Sequence, residues 1–260
     1  MRGRGKSFCG WCGDEARGRL TVRAGLRMGR LIEELDYRVT DMGPLILRRR
    51  WVAAIDSDVI EVILGDEHLM SSLFTVGETE LSVRGLAAAK EGPLRVLVGG
   101  LGLGYTARAA LADARVTSVE VVDALAPVIE WHEAGLVPLG ESLGQEPRCH
   151  LRLGDFFGWF DDPRPPADRY DVVLLDIDHS PRALLHPDHA RFYEVEGLQR
   201  LRDGISDGGV FAMWSDEGPD ADFITALEAV FDAVRAEVVA FDNPLTGGAS
   251  TCTIYVCDRA

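Results

Sequence analysis

The chain has 260 residues and a formal net charge of -15, from 42 Asp and Glu against 27 Lys and Arg. That length accommodates one α/β domain with a small additional piece, and it leaves little room for a second enzyme domain. The acidic balance argues against a nucleic-acid partner and suits a small cationic substrate. No apolar run is long enough to span a bilayer, and the five cysteines fit a reducing compartment, so we predict a cytoplasmic protein with no membrane partner.

Residues 1–27 are rich in Gly and Arg and show no sustained periodicity, which predicts a disordered or loosely attached extension. The motif Cys9-Gly10-Trp11-Cys12 has the spacing of half a zinc site or of a redox pair. No second CxxC or His pair follows nearby, and no strand precedes the motif, so we assign it neither role. Met28 could equally be the start of the chain, which would make the preceding residues an extension outside the fold.

Residues 28–90 predict a small β piece followed by a linking helix. The turns Met42-Gly43-Pro44 and Gly65-Asp66-Glu67 each separate two strand-like runs. The two predicted hairpins comprise residues 36–41 with 45–51, and residues 59–64 with 68–73. The helix is predicted from Glu78 to Lys90, with leucines and alanines on its apolar side.

From residue 91 to residue 260 the chain alternates strands with helices, which is typical of a parallel sheet covered on both faces. Strands are predicted at residues 94–98, 116–123, 149–153, 170–176 and 210–214, and helices at 105–112, 126–134, 190–201 and 221–234. Two final runs, 236–241 and 251–256, have only a loop between them and should pair antiparallel at the sheet edge. The sequence therefore predicts a doubly wound, mostly parallel α/β domain.

A glycine loop follows the first buried strand of this domain and precedes a helix, in the run Val98-Gly99-Gly100-Leu101-Gly102-Leu103-Gly104. Glycines at 99, 100, 102 and 104 let the backbone turn sharply and approach a ligand closely. The next strand ends at Asp123, about twenty residues later, where a carboxylate can reach both hydroxyls of a ribose. We infer that Gly99, Gly100, Gly102, Gly104 and Asp123 bind an adenosine-containing ligand.

Two further strands end in acids, Asp155 and Asp176. A single aspartate at a strand end is more often a helix cap or a turn residue than a ligand contact. In an open α/β sheet, however, ligands cross the carboxyl edge, and these acids join the glycine loop and Asp123 there. The four strand ends together predict a nucleotide site.

The chain resembles the spermidine synthase-like branch of the class I S-adenosylmethionine-type transferases. The resemblance covers roughly residues 35–256, including the β piece ahead of the nucleotide domain. It is carried by the glycine loop at 98–104, by Asp123 with Pro127-Val128-Ile129-Glu130, and by the runs 146–155, 170–176, 191–194 and 208–211.

The resemblance implies a seven-stranded methyltransferase-like sheet with an antiparallel C-terminal strand, and a homodimer. It also implies an adenosyl sulfonium ligand, with Asp123 on the ribose, Asp155 near the adenine amino group and the glycine loop beside the sulfonium. Asp176 would orient the attacking amine and take its proton, since a carboxylate can both hold an ammonium and act as a base. Because the sulfonium leaves as a neutral thioether, the leaving group needs no acid.

The chain departs from the family pattern where the acceptor binds. The family's glycine loop usually contains an aspartate, whereas Gly99 to Gly104 holds only Gly and Leu. Ser82 and Val83 stand in for an aromatic pair, Met70 or Ser71 sits near the usual glutamine, and only Glu78 keeps an acid. Either Asp178 or His179 is the nearest equivalent of the family's second acid. These departures predict an acceptor other than simple putrescine.

Three functions remain open at this point. The first is aminopropyl transfer from decarboxylated S-adenosylmethionine to a small-molecule amine, with Asp176 as base, helped by Asp178 or His179, and Glu78 at the substrate. The second is methylation of a small molecule by S-adenosylmethionine. The third is a non-catalytic homologue that binds the nucleotide without turnover.

Two features near the predicted site have a structural alternative. Trp214 either lines the acceptor pocket or is a core aromatic residue. The loop after the fourth strand holds two acids and three histidines, but the spacing His186-Pro187-Asp188-His189 fits no metal-ligand pattern. We therefore predict a polar lid there, and no metal.

Overall fold

The computed structural model describes residues 31–162 and 168–260. The predicted extension 1–27, with Cys9, Cys12 and Met28, lies outside these residues. The helices and strands are β1 (Ile32–Thr40), β2 (Gly43–Val52), β3 (Ser57–Leu64), β4 (Glu67–Ser71), α1 (Val76–Ala88), β5 (Leu94–Gly99), α2 (Tyr105–Leu111), β6 (Val116–Asp123), α3 (Ala126–Glu133), α4 (Gly140–Gly144), β7 (Cys149–Leu153), β8 (Tyr170–Leu175), a 3₁₀ helix (Pro187–Phe192), α5 (Val195–Asp203), β9 (Ile205–Ser215), α6 (Ala221–Glu228), β10 (Ala233–Asn243) and β11 (Gly248–Asp258).

The larger sheet has seven strands in the order β10-β11-β9-β8-β5-β6-β7. Strands β5 to β9 pair in parallel, while β11 runs antiparallel to both β9 and β10. The central strand β8 is buried along its whole length, as expected for a strand with helices on both faces. The predicted fold class is confirmed.

The N-terminal strands form a separate four-stranded antiparallel sheet, β1-β2-β3-β4, which contains both predicted hairpins. Both sheets lie in one compact unit, Leu31–Ala260. Leu45 and Leu47 of β2 share a buried apolar cluster with Leu101 and Leu103 of the glycine loop. The small sheet therefore covers the glycine loop, and the side chains of Leu101 and Leu103 are buried in the core. The predicted boundaries at residues 28–90 and 91–260 stay predictions.

Helix α1 packs on β8, β9 and β11 of the larger sheet. A Cβ on Gly85 would come 2.7 Å from Leu174 Cδ2, so glycine permits the close approach of α1 to β8. The Ser82 hydroxyl donates to the carbonyl oxygen of Thr106 at 2.7 Å, which ties α1 to α2. The first turn of α1, with Glu78, is thereby held above the end of β8.

Two predicted helices were wrong in their extent. The run 190–201 is divided into the 3₁₀ helix and α5, and α6 ends at Glu228 rather than near residue 234. β10 begins at Ala233 because its backbone pairs with β11 along all of Ala233–Asn243, a contact that local sequence does not show. Among the described residues, no helix is long and apolar enough to cross a membrane.

Candidate active site

The glycine loop connects β5 to α2 and takes conformations that side chains would disfavour. Gly100, Gly102 and Gly104 have φ angles of 91°, 47° and 90°. A Cβ on Gly100 would overlap the backbone carbonyl oxygen of Asp176, and one on Gly102 would overlap Met70 Sδ. Both steric and backbone reasons therefore require glycine at these positions.

The amide groups of this loop already have acceptors within the protein. Gly100 donates to the carbonyl oxygen of Val122, Leu101 and Gly102 donate to the Asp123 carboxylate, Leu103 donates to Met70 Sδ at 2.9 Å, and Gly104 donates to the carbonyl oxygen of Leu101. A phosphate cradle needs amide groups that point at the ligand. The loop consequently supports an uncharged or cationic part of a ligand better than an anion.

A pocket opens at the carboxyl edge of the sheet, between the glycine loop, the small sheet and the segment after β8. The predicted site residues on its wall are Gly100, Gly102, Asp123, Asp155, Asp176, Glu78, His179 and Trp214. Other wall residues, which sequence reasoning did not assign to the site, include Met42, Tyr105, Phe157, Leu69 and Leu185. The fold thus brings together eight of the eleven residues predicted for the site.

The other three predicted residues, Gly99, Gly104 and Asp178, lie off this wall. A Cβ on Gly99 would come 2.6 Å from the Phe156 ring, and one on Gly104 would overlap Leu143. These two glycines therefore have packing roles in the structure, and their predicted ligand contacts stay predictions.

Asp123 is fixed by the backbone amides of Leu101, Gly102 and Leu125. Its Oδ2 accepts from the amide of Leu101 at 2.9 Å, and its Oδ1 accepts from Leu125 at 2.8 Å. Burial raises the pKa of the carboxyl, and the amide donors oppose that rise. Asp155 is held in a similar way, since its Oδ1 accepts from the amide of Phe157 at 2.9 Å. Both acids line the pocket wall.

Glu78 and Asp176 form what we call the carboxylate pair. Burial, and next the negative charge of Asp176, raise the pKa of Glu78 to about 8. Burial raises the pKa of Asp176 to about 6, opposed by the Thr106 hydroxyl, which donates to Asp176 Oδ2 at 2.5 Å. Near neutral pH the pair therefore holds about one proton and one net negative charge. Thr106 follows the glycine loop on α2, and no sequence motif indicated its contact with Asp176.

Asp178 is buried, and its carboxylate forms hydrogen bonds within the segment that follows β8. It accepts from the hydroxyl of Tyr193 at 2.7 Å and the amide of Leu185 at 2.7 Å, and it lies 2.9 Å from Nδ1 of His189. The imidazole of His189 stacks on the ring of Phe157, with 3.8 Å between ring centroids. Asp178 thereby holds His189 and the loop beside the pocket. No group of three or more His, Cys, Asp or Glu in the described ranges is arranged to hold a metal ion.

His179 and Trp214 both reach the pocket. The His179 ring lies between two carboxylates, 3.8 Å from Glu67 and 3.7 Å from Asp216. The indole of Trp214 lines the pocket and also packs so closely on Gly77 that a Cβ there would overlap it. Trp214 is thus both a wall residue and a packing partner of α1.

The two stand-ins for the family's aromatic pair do not line the pocket. Ser82 is fully buried between helices, and Val83 is 50% exposed. Met70, in contrast, lies directly on the glycine loop through its contact with the amide of Leu103.

The charged groups on the described pocket wall are mainly negative. Among the described residues that line it are four carboxylates, Glu78, Asp123, Asp155 and Asp176, two histidines, and no Lys or Arg. Such a wall favours cationic ligands.

Comparison with known proteins agrees with this geometry. The chain is 31% identical over 175 residues to polyamine aminopropyltransferase 2 of Pseudomonas aeruginosa, a match that covers 62% of this chain and 47% of that protein. It is 26% identical over 189 residues to the polyamine aminopropyltransferase of Pyrobaculum calidifontis, covering 71% and 63%. The chain thus covers less than two thirds of the length of either relative. No protein-family model matches the chain.

Solved structures resemble the fold. A spermidine synthase in complex with the transition-state analogue AdoDATO has a TM-score of 0.68 at 17% identity, covering 87% of this chain and 74% of that one. The spermidine synthase of Thermotoga maritima has a TM-score of 0.67 at 14% identity, covering 87% and 72%. The chain is similar in sequence to polyamine aminopropyltransferases and in fold to spermidine synthases. The resemblance inferred from the motifs is therefore confirmed.

Proposed function

We propose that this protein transfers an aminopropyl group from decarboxylated S-adenosylmethionine to an amine. The observation that carries the proposal is the carboxylate pair beside the glycine loop, in a pocket whose described wall has no Lys or Arg. The names of the curated relatives support the same reaction class.

Asp176 is the proposed base. An incoming ammonium gives its proton to the Asp176 carboxylate, and the freed nitrogen lone pair attacks the carbon beside the sulfonium. The new C–N bond forms as the C–S bond breaks, and sulfur takes the bonding electrons to leave as a neutral thioether. A pKa of about 6 gives Asp176 an ionised form at neutral pH, and Thr106 fixes its orientation.

The pocket favours the decarboxylated donor over S-adenosylmethionine itself. The carboxylate of S-adenosylmethionine would meet no Lys or Arg on the described wall, and Met70 already occupies the amide of Leu103. An unpaired carboxylate beside Glu78 and Asp176 would be disfavoured by repulsion as well as by loss of water. The methylation alternative therefore has less support. The contact between Thr106 and Asp176 also argues for catalysis and against a merely nucleotide-binding homologue.

Calorimetry with the two donors and with methylthioadenosine tests the choice of donor. We expect decarboxylated S-adenosylmethionine to bind at least about tenfold more tightly than S-adenosylmethionine, the equivalent of roughly 1.4 kcal/mol. Equal or reversed affinity, with a methyl group in the product mass, would establish methylation instead.

The base assignment is tested with Asp176→Asn. This variant should retain methylthioadenosine binding and lose turnover by about 10²- to 10⁴-fold, the usual contribution of a general base. Asp188→Asn is the matched control, because Asp188 lies in the 3₁₀ helix Pro187–Phe192 after β8 and has an 85% exposed side chain. If Asp176→Asn left turnover unchanged, the assignment of Asp176 as the general base would be wrong.

A further inference from the structure

We call the part of the pocket wall around the carboxylate pair, with Tyr105, Ile177 and Trp214, the acceptor end, because the proposed base lies there. Burial, and next the negative charge of Glu78, raise the pKa of Tyr105, and Trp214 packs on Gly77, the chain neighbour of Glu78. The other two wall acids, Asp123 at the end of β6 and Asp155 just after β7, each accept a hydrogen bond from a backbone amide. The described acceptor end therefore offers two carboxylates.

Two carboxylates match two ammonium groups. Besides its sulfonium, the decarboxylated donor carries one ammonium, and the reacting amine arrives as a second. A diamine acceptor would bring a third ammonium, at its far end, into a pocket whose described wall has no further acid at this end. Burying an ammonium without a partner is strongly disfavoured.

Two further acids lie near the pocket without lining it. Glu67, on β4, and Asp216, just after β9, lie on either side of the His179 ring, which is itself on the pocket wall. The backbone amide of Asp216 also donates to the carbonyl oxygen of His179 at 2.9 Å, which fixes the two residues together. On this side of the pocket His179 reaches the wall, and Glu67 and Asp216 do not.

The remaining walls are apolar. Val62, Leu69 and Met70 come from the small sheet, and Ile177 and Trp214 from the ends of β8 and β9. Such walls stabilise a hydrocarbon body, at about fourfold in affinity for each methylene removed from water.

We infer that the acceptor is a primary monoamine with an apolar body, in which one amine reacts at the carboxylate pair and the rest of the molecule contacts the apolar walls. This inference rests on the proposed aminopropyl transfer and names its substrate class.

An isosteric pair of amines tests the inference on the full-length protein. Pentylamine and 1,4-diaminobutane have equal length and differ only in a terminal methyl or ammonium group. Each is offered with decarboxylated S-adenosylmethionine, the release of methylthioadenosine is timed, and the product mass is measured. Heptylamine and 1,6-diaminohexane repeat the comparison at greater length.

The expected result is a kcat/KM at least about tenfold higher for the monoamine of each pair, since burial of the terminal methyl alone contributes about fourfold and the ammonium that replaces it has no acid on the described wall to pair with. Equal or faster reaction of the diamines would overturn the inference and leave aminopropyl transfer standing. If the donor binds and no amine of either class reacts, the proposed function itself is wrong, and the inference with it.

A matched pair of variants tests the charge argument. Leu69 lines the apolar wall of β4, so Leu69→Glu adds an acid there and Leu69→Gln adds a neutral group of the same shape. The rate with 1,4-diaminobutane relative to pentylamine should rise about tenfold in the Glu variant over the Gln variant, by pairing of the third ammonium. Identical ratios in two variants of equal melting temperature would contradict the explanation by charge.

Discussion

Replacing Glu78 by Gln should stabilise the unliganded protein, and more so as the pH rises. Burial and the neighbouring Asp176 raise the pKa of Glu78 from 4.5 to about 8. The folded protein therefore keeps a proton that the unfolded chain has already lost, so the free energy of unfolding falls as pH rises through this range. A glutamine resembles the protonated acid and cannot ionise, and the variant escapes that loss.

The magnitude follows from the two pKa values. Between pH 6 and pH 8.5, the free energy of unfolding of the natural protein falls by about 1.4 kcal/mol for each pH unit, and nearly all of this fall occurs below the pKa that Glu78 has in the folded protein. The stability advantage of Glu78→Gln over the natural protein should therefore grow by about 2.5 kcal/mol across this range. For a chain of this size, that corresponds to a change in melting temperature of roughly 5–10 °C.

Urea unfolding at pH 6 and pH 8.5 measures the effect directly. The matched control is Glu80→Gln on the same helix, where the carboxylate pairs with Arg84 at 2.9 Å near the surface. That change should cost at most about 1 kcal/mol and show no such growth with pH. An advantage of Glu78→Gln that is equal at both pH values would refute the assignment of a raised pKa to Glu78.

Three further outcomes are expected. Binding of a cationic donor or amine at pH 7 should release about one proton, because a cation beside the carboxylate pair lowers its pKa values. Tyr193→Phe removes a 2.7 Å hydrogen bond to the buried Asp178 and should cost about 1.5–3 kcal/mol of stability. Gly100→Ala should destabilise more than Gly102→Ala, since its Cβ would meet a rigid carbonyl oxygen, whereas that of Gly102 meets the flexible end of Met70.

Each of these has its own check. Calorimetry in two buffers of different ionisation enthalpy counts the released protons, and Glu78→Gln should abolish the release. Urea unfolding gives the cost of Tyr193→Phe, and an unchanged midpoint would show that its hydroxyl does not support Asp178. Met70→Ala should recover part of the loss in Gly102→Ala and none in Gly100→Ala. Equal recovery in both would contradict the steric explanation.

The sequence predicted most of the fold because its signals are local. Buried strands such as Tyr170–Leu175 have unbroken apolar runs, and glycine marks the turn after Leu94–Gly99. The start of β10 and the end of α6 could not be predicted in this way, because pairing with β11 decides them. The homodimer and the cytoplasmic location stay predictions from sequence.

The candidate site shows the same division. Strand ends indicated Asp123, Asp155 and Asp176, since chain order and the parallel sheet place them at one edge. Asp178 was predicted beside them as a helper of Asp176, yet its carboxylate faces Tyr193 and His189. Alternation along a strand would put residues i and i+2 on the same side, but β8 ends at Leu175, and beyond it the path of the loop decides which of the two acids reaches the pocket.

By itself, the sequence determined the parallel sheet, the glycine loop and the acids at its edge, because each depends on residues close together along the chain. Only the tertiary structure decided what those acids do. Glu78 and Asp176 lie far apart in sequence, and it is the packing of α1 over β8 that makes them share a buried pocket and a proton. Their charge depends on burial and proximity, which are properties of the folded chain.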